Sequence, residues 1–350
     1  MLDVLIVGQG LAGSLLASEL IAQGQRIRVL DNRHRHASSM VAAGLINPVT
    51  GRRLVKSPYT EDWMAAAWSC YRQLESELGL ALLFEKPMWR LFTSAKQREI
   101  WQQRQSQEEY AGFLSTPDTE PASLYQAPHG MGKVSHTAYV DTKVMLTALR
   151  DWLEQQDAYL EREVEYEAIH PRQGHVEVDG LKARQLVFCE GYRGMHNPWF
   201  GQLPLTPVKG EILTLSHDTD LPDLIANFGK WLLPIDTNLF KLGATYDWEH
   251  LDNVPTQAAR QHLLDALAKV LSHPLSTTLQ AHEAGVRPNS RDRLPLIGPH
   301  PDHRSLYIFN GFGSRGALMI PYYASQLAAH MRQGEALPSH CDIARFEDRH

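Results

Sequence analysis

Leu2-Asp3-Val4-Leu5-Ile6-Val7 runs straight into Gly8-Gln9-Gly10-Leu11-Ala12-Gly13, and the reading of this stretch decides the fold. The first six residues form the short, nearly continuous apolar run that a strand buried on both faces requires. A helical pattern follows, with Leu11, Leu15, Leu16 and Leu20 on its buried side, and it stops at Gly24, a natural C-terminal cap. A second strand, Arg26 to Leu30, delivers Asp31. Strand, glycine turn, helix, strand and acid stand in the order of a dinucleotide-binding βαβ unit. Gly8 permits the tight turn, Gly10 lets the backbone approach a pyrophosphate, and Gly13 allows the helix to pack closely on the strand. The helix N-terminus, with Leu11 and Ala12, offers N–H groups and a partial positive charge to phosphates. Asp31 lies eighteen residues beyond Gly13, placed to accept hydrogen bonds from a ribose diol. FAD, NAD and NADP all stay open at this point. Arg33 and Arg35 suit a 2′-phosphate, which Asp31 would repel.

The 350 residues allow two domains, and 43% hydrophobic with 21% charged residues is an ordinary globular balance that excludes collagen-like and disordered classes. A net charge of −6 argues against a general nucleic-acid binder, whose footprint is basic. Cys70, Cys189 and Cys341 are too scattered for a disulfide framework or a zinc site. No apolar run reaches the roughly twenty residues of a membrane span, and no signal-peptide pattern precedes Val4. The expectation is a cytoplasmic protein.

Further along, residues 61 to 79 carry Trp63, Ala67, Cys70, Leu74 and Leu78 at helical spacing, and 97 to 110 reads as a solvated surface helix around Ile100 and Trp101. Pro, Gly, Ser and Thr make 115 to 138 a long loop. Asp141 caps a helix with Met145, Leu149, Trp152 and Leu153 inside. Strands are expected at 162–169, 174–179 and 183–189, turning at Gly174 and Gly180. Glu211–Leu215, Lys230–Ile235 and Leu239–Ala244 form an antiparallel meander, followed by a helix over 256–272 with Leu263, Leu267, Val270 and Leu271 inside. The chain closes with a strand at Leu306–Phe309, a loop Gly311-x-Gly313-Ser314-Arg315-Gly316 and a helix over Ala317–Met331.

That last loop is literally a second GxGxxG, but no further strand with an acidic end follows it. It reads as a helix N-terminus aimed at an electron-rich group. A reduced flavin, negative near N1 and O2, is such a group. One nucleotide site plus this feature favours a flavin.

With these residues in place, the chain resembles the D-amino acid oxidase and glycine oxidase superfamily of FAD-dependent oxidoreductases. Four stretches carry the likeness in order: Val7 to Gly13 with Asp31; Ser38-Ser39 through Ala42-Ala43-Gly44-Leu45-Ile46-Asn47-Pro48; Phe188-Cys189-Glu190-Gly191 through Pro207-Val208-Lys209-Gly210-Glu211; and Gly285-Val286-Arg287-Pro288 through Asp292, Pro295, Ile297 and Gly298 to the final glycine loop. The resemblance implies an α/β fold: a Rossmann-like, glutathione-reductase-type FAD domain interleaved with an antiparallel-sheet substrate domain. The expected division is 1–80, 138–205 and 283–350 for FAD, 81–137 and 206–282 for substrate. It leaves no room for a separate NAD(P)H domain. It also implies FAD contacts from Asp31, Ser38, Ser39, Gly44, Leu45, Asn47, Gly191, Gly311, Gly313, Ser314 and Gly316, with Val164 facing the adenine through its backbone. Arg287 then pairs with a substrate carboxylate, for which a bidentate guanidinium is suited. Arg315 takes a further substrate or flavin contact.

Three features depart from the family pattern. Asp31 stands where Glu is usual, Glu190 where a small residue is usual, and Asn47-Pro48-Val49-Thr50-Gly51 continues into Arg52 and Arg53. No cysteine lies between Gly285 and Gly298, where covalently flavinylated relatives carry theirs, so the FAD is expected to be noncovalent.

The function these readings imply is oxidation of the C–N bond of a small amino acid or secondary amine, by hydride transfer to flavin N5, with oxygen or another group as electron acceptor. Arg287 positions the carboxylate; an interdomain salt bridge with Asp292 is its structural alternative. Tyr246 closes the substrate pocket or packs as an ordinary tyrosine. Arg52, Arg53 and Lys56 bind a second acidic group or form a solvated basic turn. One alternative function resembles the oxidase half of the bifunctional tRNA wobble-uridine modification enzyme. Another, of a different class, is an FAD-binding protein without turnover. His34-x-His36 and His300-x-x-His303 lack carboxylate or cysteine company, so no metal is expected. Serine-hydrolase and Walker A motifs are missing. Denaturing the purified protein with acid is expected to release a yellow supernatant with the mass of free FAD; flavin that stays with the precipitated chain would overturn the noncovalent assignment.

Overall fold

The structure, a computed structural model, describes residues 1–35, 37–117 and 124–346. The strand Leu2–Val7 forms as its apolar run requires, and every residue from Val4 to Val7 is buried. It pairs in parallel with Ile27–Asp31 on one side and Leu181–Phe188 on the other. Tyr159–Glu161 extends the sheet beyond Ile27–Asp31, and Leu306–Asn310 joins the far half of Leu181–Phe188, both in parallel. Parallel strands buried on both faces need helices over them. Leu11–Ala22, Thr142–Gln155 and Gly316–Gln333 cover one face, with Thr60–Leu78 packed outside on Gly316–Gln333, while Ile169, Val176, Val178 and Phe200 close over Leu5 and Val7 on the other. Leu16, Trp63, Tyr71, Leu149 and Tyr323 share that core. The Asp141 cap accepts from the Val144 N–H at 3.1 Å.

The second sheet is antiparallel along Thr277–Arg287, Val208–His217, Leu239–Gly243, Trp231–Asp236 and Ile225–Asn227. It continues through Met88–Leu91, Met131–Val134 and Leu114–Ser115. The architecture is therefore a Rossmann-like α/β half interleaved with an antiparallel-sheet half. Thr277–Arg287 runs unbroken across residue 283, where a boundary is expected, because its whole length is paired with Val208–His217.

Local expectations change in three places. The stretch 162–169 is not a strand: pairing stops at the Arg162 N–H, which donates to the Asp31 carbonyl at 2.8 Å, and Tyr166–Ala168 is a 3-10 turn before the strand Ile169–Arg172. The expected loop 115–138 contains Met131–Val134 and begins Ala138–Val140. Its glycines mislead because Gly132 sits in the strand to make room for the Trp101 indole, which a Cβ there would strike. For the same reason the surface helix is shorter, Ala95–Gln105, and Trp101 is buried. Among the described residues no helix is long and apolar enough to cross a membrane.

Leu16→Ala is expected to lower unfolding stability by about 2–5 kcal/mol, since it empties a fully buried site between helix and sheet. The exposed Leu80→Ala should change it by less than about 0.5 kcal/mol. Denaturant melts of both variants check the pair.

Candidate active site

The glycine turn places a long cleft along the carboxyl ends of the parallel strands, lined at one end by Asp31, Arg162 and Val164 and at the other by Arg287 and Tyr246. Gly8 has φ +99°, and a Cβ on it would press on the Cys189 carbonyl at 2.6 Å. The Leu11 N–H donates to Ser39 Oγ at 3.1 Å, but the N–H groups of Gly10 and Ala12 have no acceptor among the described residues. These are the unsatisfied donors of a helix N-terminus, pointed where an anion can sit. Gly13 does not line the cleft; a Cβ there would strike the Gly8 carbonyl, so its part is close packing. Asp31 lines the cleft while its Oδ1 accepts from the Gln9 N–H at 2.8 Å and its Oδ2 from the His34 N–H at 2.7 Å. Each oxygen keeps a further acceptor site for a diol.

Ser38, Ser39, Gly44 and Leu45 form one wall. Gly44 takes φ +64° because a side chain would collide with the Val140 carbonyl. Asn47 is not part of the lining. Its amide is consumed locally, Oδ1 accepting from the Val49 N–H at 3.0 Å and Nδ2 lying 3.4 Å from Met88 Sδ. On the opposite wall, Gly191 and the half-buried Glu190 line the cleft with Tyr166. The Tyr166 hydroxyl donates to Glu190 Oε1 at 2.9 Å and Asn197 Nδ2 to Oε2 at 2.8 Å. Burial holds the Glu190 carboxyl above the ordinary range despite these donors. The unusual acid thus has its own hydrogen-bonded niche.

At the far end Gly313, Ser314 and Gly316 line the cleft, and the Ser314 N–H has no acceptor among the described residues. Gly311 does not line it; at φ +82° it packs on Leu296 and donates its N–H to Asn310 Oδ1. Arg315 also points elsewhere. Its Nη2 donates to the Arg293 carbonyl at 2.7 Å and its guanidinium lies 5.5 Å from the Trp63 ring centre, so it fastens a loop to the helix Thr60–Leu78.

Arg287 ends its strand inside the cleft. Its guanidinium occupies the space that a Cβ on Gly210 would fill, its Nη1 donates to the Thr245 carbonyl at 3.3 Å, and it lies 5.1 Å from the Tyr246 ring centre. Asp292 bonds Arg345 instead, at 3.1 Å, and among the described residues no carboxylate pairs with Arg287. Burial pulls the Arg287 pKa below the usual arginine value. A half-buried cation without a counterion, open to a cleft, is a site for an anionic ligand. Tyr246 is 53% exposed and stacks on Trp248, 65% exposed, at 6.0 Å, so it stands at the mouth of the cleft.

Arg52, Arg53 and Lys56 lie outside the lining, on the hairpin formed by Val49–Thr50 and Val55–Lys56. Lys56 pairs with Glu61 and covers the Phe113 ring. His36 lies outside the described residues. His300 Nδ1 accepts from the N–H groups of Asp302 and His303, and no group of histidine, cysteine or acidic residues able to hold a metal is found among the described residues. The sequence does not single out Ile212, Trp231 and Ala244, two strand residues and the residue just after the strand Leu239–Gly243, which meet only once the sheet is paired.

Two helix N-termini with free N–H donors, a diol acceptor at one end and glycines where a ligand must pass close suit an extended dinucleotide with a flat electron-rich ring. FAD therefore fits this donor set. The DAO family model, described as FAD dependent oxidoreductase, matches residues 3–330. Glycine oxidase of Pseudomonas aeruginosa is 25% identical over 95% of this chain and 96% of its own length. The tRNA 5-methylaminomethyl-2-thiouridine biosynthesis bifunctional protein MnmC of Idiomarina loihiensis is 26% identical over 98% of this chain, which spans only 57% of that relative. The crystal structure of glycine oxidase from Geobacillus kaustophilus shares the fold at a TM-score of 0.83 and 21% identity, covering 100% of this chain and 99% of that one. The chain belongs to the DAO family of FAD-dependent oxidoreductases, and its cofactor is FAD.

Proposed function

We propose that the protein oxidises the C–N bond of a small amino acid or secondary amine whose carboxylate is held by Arg287. One observation carries this reading: a half-buried guanidinium, braced by the Thr245 carbonyl and the Tyr246 ring, faces the cleft with no acidic partner among the described residues. FAD, when bound, supplies a two-electron acceptor that takes up a hydride from the carbon next to the amine. Gly10, Ala12 and Ser39 would hold its pyrophosphate, Asp31 its ribose, and Ser314 its ring. Arg287 fixes the substrate's acid by a two-point contact, which restricts its orientation. Tyr246 covers the bound molecule at the mouth and limits water. The amine proton is lost to solvent, and the resulting imine hydrolyses in water. The chain divides, on this reading, into FAD-holding segments 1–80, 138–205 and the residues after Arg287, around substrate-facing segments 81–137 and 206–287.

A second reading is oxidation of a carboxymethylamino group on an RNA base. The exposed Tyr246–Trp248 stack favours it, because aromatic platforms bind bases. The adjoining Asp247, Glu249 and Asp252 count against it, since they would meet a phosphate backbone with negative charge.

Anaerobic mixing of the FAD-loaded protein with amino acids, N-methyl amines and modified tRNA separates the readings. Bleaching of the flavin by small carboxylated amines is expected. Bleaching by tRNA alone would favour the second reading, and none at all would leave an FAD-binding protein without turnover. Hydrogen peroxide formed in air then identifies oxygen as the acceptor. Arg287→Ala should lower kcat/KM by at least about a hundredfold with FAD retained, the loss of a buried charge-assisted bidentate contact. Unchanged kinetics would refute the assigned role.

A further inference from the structure

Arg287 does not stand alone. Lys230 is not itself among the residues that line the cleft; it reaches this corner from behind Ala244 and Tyr246, which do, at the start of the strand Trp231–Asp236, turned there by Gly229 at φ +90°. Its Nζ donates to the Ala244 carbonyl at 2.9 Å and lies 5.9 Å from the Tyr246 ring centre. Arg287 is tied to the next carbonyl, that of Thr245, and to the same ring at 5.1 Å. Two cations are thus fastened to consecutive peptide carbonyls and share one aromatic ring.

Neither has a carboxylate ion pair among the described residues; Lys241 shares that condition, but three other well-covered lysines are paired. Lys56 pairs with Glu61, Lys86 with Asp223, and Lys209 with Asp252. The acids nearest this corner are engaged elsewhere. Glu211 accepts from Thr256 and lies 2.8 Å from His282, and Asp247 accepts from the N–H groups of Glu249 and His250. Burial and the charge of Arg287 both draw the Lys230 pKa down, so the pair is held in mutual repulsion. One carboxylate saturates the planar fork of Arg287. The lysine retains two of its three donors.

We propose that Lys230 is a second anion-binding residue of the substrate site and that the substrate is an amine bearing two carboxylates, one held by Arg287 and the other by Lys230. This rests on the reading of Arg287 as the carboxylate anchor. A dianion neutralises both charges at once and relieves the repulsion between them. A monocarboxylate leaves the ammonium unmatched.

The test uses the FAD-loaded protein and acids that cannot be oxidised, read by the shift of the visible flavin spectrum on binding. Succinate is compared with butyrate, malonate with propionate and glutarate with valerate, so chain length is matched. The best dicarboxylate should bind roughly tenfold or more tighter than its monocarboxylate partner, the effect of one added charge-assisted hydrogen bond. Lys230→Met should bring that ratio to within about twofold of unity, and Lys230→Arg should preserve it. A wild-type ratio near one, or a ratio unchanged in Lys230→Met with FAD retained, overturns the proposal. If Lys230→Met does not hold FAD, the wild-type ratio and Lys230→Gln decide. Binding of monocarboxylates with no preference for dicarboxylates sinks this inference alone. Failure of every acid to perturb the flavin and of every amine to bleach it sinks the proposed function as well.

Discussion

Two glycines facing one another set the distance between the halves of this molecule. Gly210 and Gly285 are directly opposed in the antiparallel pair Val208–His217 and Thr277–Arg287. Opposed residues project to the same face, and so do residues two apart on one strand. On that face a Cβ at Gly285 would come within 3.2 Å of the Ser38 Cα, while a Cβ at Gly210 would occupy the Arg287 guanidinium. The missing side chains therefore do two things at once. They let the antiparallel sheet close onto the serine turn that lines the cleft, and they open the slot in which Arg287 lies. Any larger pair would force the sheet back and move Arg287 away from that turn.

The antiparallel half is braced from outside the cleft. Lys209, next to Gly210, points to the opposite face, where its Nζ reaches Asp252 at 2.5 Å and the Val254 carbonyl at 2.6 Å. Its backbone N–H and carbonyl bridge Asp247 at 2.8 and 3.0 Å. Glu211 N–H donates to Thr245 Oγ1 at 2.9 Å. Tyr246 is thus held between residues bonded on either side of it, despite its exposure. A buried charge-assisted network of this kind restricts geometry more than it adds net stability. Here it fixes the segment that carries the carbonyls bracing both cations.

The dinucleotide half is legible in the sequence because its signals are local. A buried strand, a glycine turn and an apolar helix each declare themselves within about a dozen residues, and Asp31, Gly8 and Gly44 meet in the cleft. Other readings fail where the determining contact is remote. Gly132 reads as loop until the Trp101 ring is laid on it. The strand Thr277–Arg287 is obscured because most of it, from Thr277 to Glu283, is only partly buried or exposed, and its pairing partner lies far away in the chain. Arg315 and Arg287 both follow motif glycines or precede them closely, and sequence spacing gives no way to tell them apart. Only the fold reveals that one turns outward to Arg293 and Trp63 and the other inward to the cleft.

Net charge is similarly uninformative until it is placed. The value of −6 belongs to the whole chain, whereas a ligand meets an arrangement. Beside the aromatic pair at the mouth stand Asp247 and Glu249; within lies Arg287, with Lys230 behind the Tyr246 ring. An acidic rim repels a polyanion over a distance comparable to the Debye length, about 8 Å at physiological salt. A small amino acid is different, since its ammonium is drawn to the rim and its carboxylate to the interior. The same gradient orients such a molecule as it enters, acid group first, before any hydrogen bond forms. A phosphodiester chain offers no cationic end to exploit that gradient. The distribution of charge, more than its sum, therefore favours a small carboxylated amine over nucleic acid.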